Sequence, residues 1–313
     1  MSLSPQELKE HCEQIIQSRR IKNKIVILCE GDIPKNNGRP SPQSYGKMEQ
    51  MPDANFYNAC VPQWWRQNRP QFFNCGDRKD VIDTYSTLIN LHNQAPNNSY
   101  LTPDKLFAIV DLDLQSQTIN NYTFPDTESI FNHLYEKALV KESNAEQHRI
   151  WVTGLIHKEA YFIIPELQDL FDNYPNSPTY NSNRLQLPDI YLEMANTIQH
   201  DSDLQSNFHR ASARISHCCG LDCSEAMKLC KSWQQEFQTT QDETRKNELI
   251  IALLMIKKAK NYWYQIQPPN DWTSSPQVFR EQLSLAIGRF YSAQNSEVKY
   301  HIPFFLKNLY NFV

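Results

Sequence analysis

The chain has 313 residues and a mass of 36.7 kDa, enough to bury a large core as one big domain or two ordinary ones. Its 40% hydrophobic and 12% aromatic content excludes a disordered chain, and its longest uninterrupted apolar run, residues 249–256, is far short of the ~20 residues that span a bilayer. A formal net charge of −4 excludes a global positive field, so any nucleic-acid binding has to use a local basic surface or a partner.

Residues 5–20 carry Leu8, Ile15 and Ile16 on one side and predict an amphipathic helix. The first strand follows at 24–29 (KIVILC), where five consecutive apolar residues suit a strand covered on both faces. Residues 31–53 hold four prolines and three glycines and predict an irregular loop. A helix is expected over 55–66, a short strand over 71–75 (QFFNC), and a helix over 80–92 with Val81, Tyr85, Leu88 and Leu91 at helical spacing. A second fully apolar strand spans 106–110 (LFAIV), followed by a helix over 127–141 and a strand over 150–156 (IWVTGLI).

Strands alternating with helical patterns give an α/β fold, a parallel sheet flanked by helices. From about residue 165 the texture changes: Pro165, Pro175, Pro178 and Pro188 sit among Asn and Ser, then helical patterns dominate. The expected division is an α/β catalytic domain over 1–165 and a mostly helical domain over 166–313. In the second part a long helix is expected over 242–264. Ser275 and Pro276 form an N-cap and first-turn pair for a helix with Phe279, Leu283, Ile287 and Phe290 inward. The apolar tail HIPFFLKNLYNFV is expected to dock on the body or on a second subunit.

The first 17 residues lack a basic segment followed by an apolar core, so no secretory signal is read and the cytoplasm is the default expectation. Eight cysteines without framework spacing are expected to be buried thiols rather than disulfides. Seven glycines form neither GxxxxGK nor GxGxxG, which excludes a P-loop and a dinucleotide fingerprint. Any nucleotide hydrolysis is expected from a partner.

Acids fall at the strand ends, where parallel sheets bind their ligands. Glu30 follows the first strand directly; Asp111 and Asp113 follow the 106–110 strand at i and i+2, so an extended backbone there turns both carboxylates to one side. Three clustered carboxylates suit Mg²⁺ or Mn²⁺, hard cations that retain waters and bind substrate phosphates, and such ions activate water for phosphoryl transfer. The plainer reading is a solvated strand end and a turn.

VILCEGD followed some 80 residues later by LFAIVDLD resembles the TOPRIM fold of topoisomerases, bacterial primases and OLD-type nucleases, in which a glutamate after the first strand precedes a glycine and a DxD follows a later strand. Glu30-Gly31 and Asp111-Leu112-Asp113 match those positions. The intervening FYNACVPQW and FFNCGDRKDVIDTY are similar to the stand-alone TOPRIM nucleases that accompany ABC-type ATPases in anti-phage systems of the PARIS and OLD kind. The resemblance covers about residues 24–165 and implies a Mg²⁺- or Mn²⁺-dependent endonuclease acting on DNA or a structured RNA such as tRNA. It further implies control by an ABC-type ATPase, with homodimerisation as a corollary. It makes Glu30 a metal ligand or general acid/base, Asp111 and Asp113 metal ligands, Glu159 a further ligand and Lys158 a stabiliser of the leaving group. Two departures stand out: the asparagine of the family's E-N-Y site is Ala160 between Glu159 and Tyr161, and the 31–53 loop is long for this fold.

Other features carry bland and functional readings side by side. His217, Cys218, Cys219, Cys223 and Cys230 bring soft ligands close together without paired CxxC spacing, and are read as core or surface thiols before a zinc site. Arg19, Arg20, Lys22 and Lys24, and Arg66, Arg69, Arg78 and Lys79, are solvated charge or phosphate contacts. Trp64-Trp65 is a helix end packed on the sheet or a stacking platform for bases. The competing enzyme classes with a DxD after a strand are phosphatases of the haloacid-dehalogenase type and nucleotide-sugar glycosyltransferases; a non-catalytic binding subunit is the remaining alternative.

Overall fold

Apolar runs bounded by charged residues become the strands of one parallel sheet. The structure, a computed structural model, describes residues 2–33 and 51–313. Its main sheet contains β1 (Val26–Cys29), β2 (Gln71–Asn74), β3 (Leu106–Val110) and β4 (Ile150–Val152) in the order β2-β1-β3-β4, all parallel. Cys29 lies opposite Asn74 on one side and Ile109 on the other, so β1 is fully enclosed. Every residue of β1, β3 and β4 is buried, as expected of a sheet covered on both faces.

The covering helices are α1 (Pro5–Ile16), α2 (Pro52–Cys60), α3 (Arg78–Gln94) and α4 (Thr127–Leu134). From β1 the chain crosses to β2 through α2, then returns past β1 to β3 through α3. Right-handed crossovers in opposite directions put α2 and α3 on opposite faces. Helix α3 packs on β1 and β3 with α1 outside it, and α2 packs beside β2. Capping boxes, Ser4 with Glu7 and Asp77 with Asp80, start α1 and α3.

The structure moves several expected boundaries. Helix α1 stops at Ile16, and α2 runs from Pro52 to Cys60 instead of 55–66. Proline suits a first turn, and Pro62 forbids continuation past Val61. The expected helix over 127–141 ends at Leu134; Tyr135–Glu136 and Leu139–Val140 pair as an antiparallel hairpin whose turn puts Lys137 and Ala138 in the left-handed region. The last strand ends at Val152 rather than 156; just beyond it, Gly154 lies where a Cβ would enter the His301 ring. Most of the 31–53 loop, with its Lys35, lies outside the described residues.

In the second half, α5 (Phe208–Ile215), α6 (Glu243–Ile256), α7 (Lys260–Gln265), α8 (Pro276–Ala293) and α9 (His301–Tyr310) are the helices that bear on the site. The single helix expected over 242–264 is broken at Lys257, whose backbone turns extended. In α8, Phe279, Leu283 and Ile287 are buried as expected, whereas Phe290 is only partly so. Helix α8 lies against α2 so closely that a Cβ on Gly288 would strike the Ala59 Cβ. The tail docks on the body: Phe305 of α9 meets Trp151 of β4 with ring centroids 5.0 Å apart, and Phe312 meets Phe107 of β3 at 5.2 Å. Buried side chains from before and after residue 165 belong to one hydrophobic cluster. Among the described residues no helix is long and apolar enough to cross a membrane.

Candidate active site

Neighbouring strands β1 and β3 send their following connections in opposite directions, β1 toward β2 and β3 toward β4. Such a topological switch point opens a crevice beyond the carboxyl ends of the strands. Glu30 and Asp111 stand there, one residue past each strand. The backbone N–H of Asp111 donates to Glu30 Oε1 at 2.7 Å, which locks the Glu30 carboxylate onto the end of β3. Gly31 beyond it has φ 149° and pairs with Gly76 beyond β2; a side chain at residue 31 would run into the Asp53 carboxylate and the Asn74 amide. Asn74, buried, accepts from Ala54 N at 3.0 Å and donates to Asp32 O at 3.1 Å, tying the start of α2 to the segment after Glu30.

The Asp111-Leu112-Asp113 segment is not extended as its i, i+2 spacing suggested. Asp113 has φ 43°, and its Oδ1 accepts the next N–H, of Leu114, at 2.6 Å. Three arginines hold the carbonyls of this turn: Arg78 donates to Leu112 O at 3.0 Å, Arg214 to Asp113 O at 2.6 Å and Arg210 to Leu114 O at 2.7 Å. Arg214, its side chain 1% exposed, also pairs with Glu128 at 2.5 Å. Lys258 Nζ bridges Asp113 Oδ1 at 3.5 Å and Asp203 Oδ2 at 2.8 Å. Leu112 N donates to Thr153 Oγ1 beyond β4.

A 3-10 turn, Lys158–Phe162, follows the loop after β4. Lys158 N donates to Asp111 Oδ1 at 3.0 Å, and its Nζ forms an ion pair with Asp53 at the start of α2. Glu159 Oε2 lies 3.1 Å from His157 Nδ1. Because the Ala259 N–H can only donate, His157 Nε2 accepts from it at 3.2 Å. Tyr161 points away from the acids: its hydroxyl accepts from Gly154 N and Leu155 N and contacts His301 Nδ1 at 2.9 Å.

The charges interact strongly. Burial raises Glu30 to about 7 against the opposing hydrogen bond from Asp111. Burial, then the neighbouring charges of Glu30 and Glu159, push Asp111 well above the usual carboxylate range. Burial also works on Glu159, but the His157 contact and the Lys158 ammonium outweigh it and hold that carboxyl down to about 2. Burial lowers Lys158, with Glu159 opposing.

These residues line a cleft of about 990 Å³ that contains Glu30, Asp111, Asp113, Lys158 and Glu159 together. All candidate site residues therefore share one cavity. Carboxylates raised by burial and mutual repulsion are what a divalent cation stabilises in charged form. Among the described residues no group of three or more His, Cys, Asp or Glu is arranged to hold a metal. The all-oxygen donor set of Glu30 and Asp111 fits Mg²⁺ or Mn²⁺ in the mode that uses one or two carboxylates with waters and substrate phosphates, rather than a closed protein cage.

Several site residues escaped sequence reasoning: Asp53, His157, Lys258, Arg210 and Arg214 are far apart in the chain and carry no motif. His157 follows a segment the sequence presents as an ordinary strand, and Lys258 lies inside one it presents as an ordinary helix. Elsewhere, the cysteines at 218, 219, 223 and 230 are free thiols, and Cys218 Sγ accepts from Arg245 at 3.4 Å. Of the basic candidates, Arg78 reaches the cleft, whereas Arg19, Arg69 and Lys79 bond to Tyr100, Asn58 O and Asp83. Trp65 is fully buried and stacks edge-on to Tyr310, while Trp64 is 51% exposed. Compared with family models, curated proteins and solved structures, the chain matches none.

Proposed function

We propose that the chain is a Mg²⁺- or Mn²⁺-dependent nuclease with a TOPRIM-like active centre. The observation that carries this reading is the hydrogen bond from Asp111 N to Glu30 Oε1, which sets two raised carboxylates side by side at the switch point of a parallel sheet. Glu30 and Asp111 would hold the ion, with Asp113 and Glu159 as the further ligands that the resemblance implies. When bound, the ion activates water and neutralises charge that develops on a transferring phosphate.

The protein side of the chemistry follows from the geometry. Glu30 keeps Oε1 on the Asp111 N–H, and its carboxyl, raised by burial to about 7 when no ion is bound, serves either as a ligand of the ion or as the general acid/base. Asp53 fixes Lys158 at the cleft wall, where its ammonium would face a phosphate engaged by the ion that the acids would hold. The three arginines keep the Asp113 turn in its left-handed conformation, so the DxD presents a fixed surface. The substrate is DNA or a structured RNA such as tRNA. The resemblance of residues 24–165 to the anti-phage TOPRIM nucleases is what implies an ABC-type ATPase partner as the controlling subunit.

The test is metal-dependent cleavage of DNA and of tRNA by wild type, Glu30→Gln and Asp111→Asn, alone and with such an ATPase. Cleavage that needs Mg²⁺ or Mn²⁺ and falls by a factor of about 100 or more in both variants is expected, in the range that acid/base and electrostatic groups supply. Equal cleavage by the variants, or none by wild type in any arm, overturns the reading.

A further inference from the structure

Part of the cleft wall is neither acidic nor apolar. Helix α7 buries Tyr262 and Trp263, the latter against Phe162 with ring centroids 4.8 Å apart, and the Tyr262 hydroxyl meets Thr197 Oγ1 at 2.7 Å. That anchoring turns Lys260, Asn261 and Tyr264 outward, and all three line the cleft that holds Glu30 and Asp111. The spacing, i, i+1 and i+4, puts a cation, an amide and an aromatic ring on one helical face.

Tyr264 is 49% exposed, an unusual position for a large ring inside a cleft. Its ring lies 5.9 Å from Lys260 Nζ and 5.6 Å from Arg280 Cζ, and Arg280 bonds the carbonyls of Tyr264 and Ile266 at 3.2 Å. The backbone beneath the ring is thus fixed, the two cations lie over the ring, and about half of the residue remains exposed to the cleft. A positive charge next to a half-exposed aromatic ring matches a phosphate beside a planar base, and Asn261 supplies a donor and an acceptor for the edge of that base.

We propose that α7 is a binding wall for single-stranded nucleic acid, with Lys260 on a phosphate, Tyr264 stacked on an unpaired base and Asn261 at the base edge. This rests on, and narrows, the nuclease reading: the strand to be cut enters with its bases unstacked. A duplex keeps both faces of each base covered by its neighbours, so it offers Tyr264 nothing to stack on. The break in helical geometry at Lys257 separates α6 from α7, and Lys258, next to it, bridges to Asp113.

The experiment is fluorescence-anisotropy binding of the full chain in metal-free buffer to labelled strands of roughly 12 nucleotides, within the range such sites occupy. The probes are oligo-dT, oligo-rU, the corresponding duplexes, and an abasic strand that keeps the phosphates but has no bases; the dT and rU arms distinguish a deoxyribose from a ribose preference. Wild type is expected to prefer single strands. Tyr264→Ala should weaken base-bearing strands by about 10-fold and leave the abasic strand unchanged, Tyr264→Trp should restore binding, and Lys260→Ala should weaken every strand and lower the salt slope by about one. A loss in Tyr264→Ala that is equal on base-bearing and abasic strands, no loss at all, or a preference for duplex overturns the wall. Cleavage assayed separately keeps the two readings apart. Strand binding with this pattern but no metal-dependent cleavage removes the nuclease and leaves the wall; cleavage with binding insensitive to Tyr264 removes the wall alone; neither binding nor cleavage removes both.

Discussion

Asp111 donates its backbone N–H to Glu30 Oε1 at 2.7 Å, so a side chain joins β1 to β3 where the backbone ladder of the two strands has ended. One consequence is geometric: one oxygen of the carboxylate is pinned to the end of β3, in a residue that lines the cleft. The other is electrostatic, because a fixed acid beside Asp111 cannot move away from its charge.

The first prediction concerns pH and Glu30. Its carboxyl is raised from 4.5 to about 7 in the folded chain, so the native state binds this proton more tightly than the unfolded state does. The stabilisation is fully present below pH 4.5 and is lost as pH rises from 4.5 to about 7. Glu30→Gln keeps an oxygen for the Asp111 N–H and removes the charge. In metal-free buffer it should be more stable than wild type by about 3 kcal/mol at pH 8 and close to wild type at pH 4. Denaturant unfolding across that range checks it, and a difference independent of pH would falsify the cause assigned here.

A metal should reverse that sign. Because Mg²⁺ binds the charged carboxylates, adding it at pH 8 is expected to raise the unfolding midpoint of wild type, and to do little at pH 5, where Glu30 holds its proton. At 100 times the dissociation constant the gain is about 2.7 kcal/mol. Asp111→Asn should abolish the shift. Differential scanning fluorimetry with Mg²⁺ and Mn²⁺, and with EDTA as control, makes the comparison; a shift that survives in Asp111→Asn points to a different ion site.

What the sequence conveys here depends on how local the cause is. The 106–110 strand was legible to the residue because an apolar run ends abruptly at Asp111, and the acids were legible because strand ends are where loops begin. The hairpin at 135–140 was hidden, since its turn uses Lys137 and Ala138 in the left-handed region with no glycine to announce it. The break after Ile256 was hidden for a different reason. Lys257 and Lys258 leave helical geometry for Asp201, Asp203 and Asp113, partners 55 or more residues away that no local pattern contains. The arginines that hold the DxD turn come from 78, 210 and 214, and only the folded chain brings them together.

Arg214 is the most demanding of those arginines. Its guanidinium is buried between Glu128 and the Asp113 carbonyl and lies 5.6 Å from the Phe131 ring. Arg214→Ala leaves Glu128 with its closest cation gone and the Asp113 carbonyl without its donor, and should cost about 3–5 kcal/mol. Arg214→Lys should recover little, because one ammonium cannot reproduce the forked contact to both oxygens of Glu128 and the carbonyl. Equal stability of Arg214→Lys and wild type in urea would show that charge alone matters.

Gly31 gives the sharpest local test of the cleft's architecture. Its φ of 149° strains any other residue, and an added Cβ would meet the Asp53 carboxylate and the Asn74 amide. Asp53 is the partner that holds Lys158, so Gly31→Ala should both destabilise the fold, by about 2–3 kcal/mol, and release Lys158 from its place. Adding Asp53→Ala to Gly31→Ala removes one of the two obstructing groups. The double variant should therefore lose less than the sum of the single losses, and the Asn74 contact and the backbone strain should keep it below wild type. Unfolding free energies of the four chains in a double-mutant cycle decide it: strict additivity would mean that Asp53 does not obstruct residue 31, and that the Asn74 contact and the backbone conformation alone require the glycine.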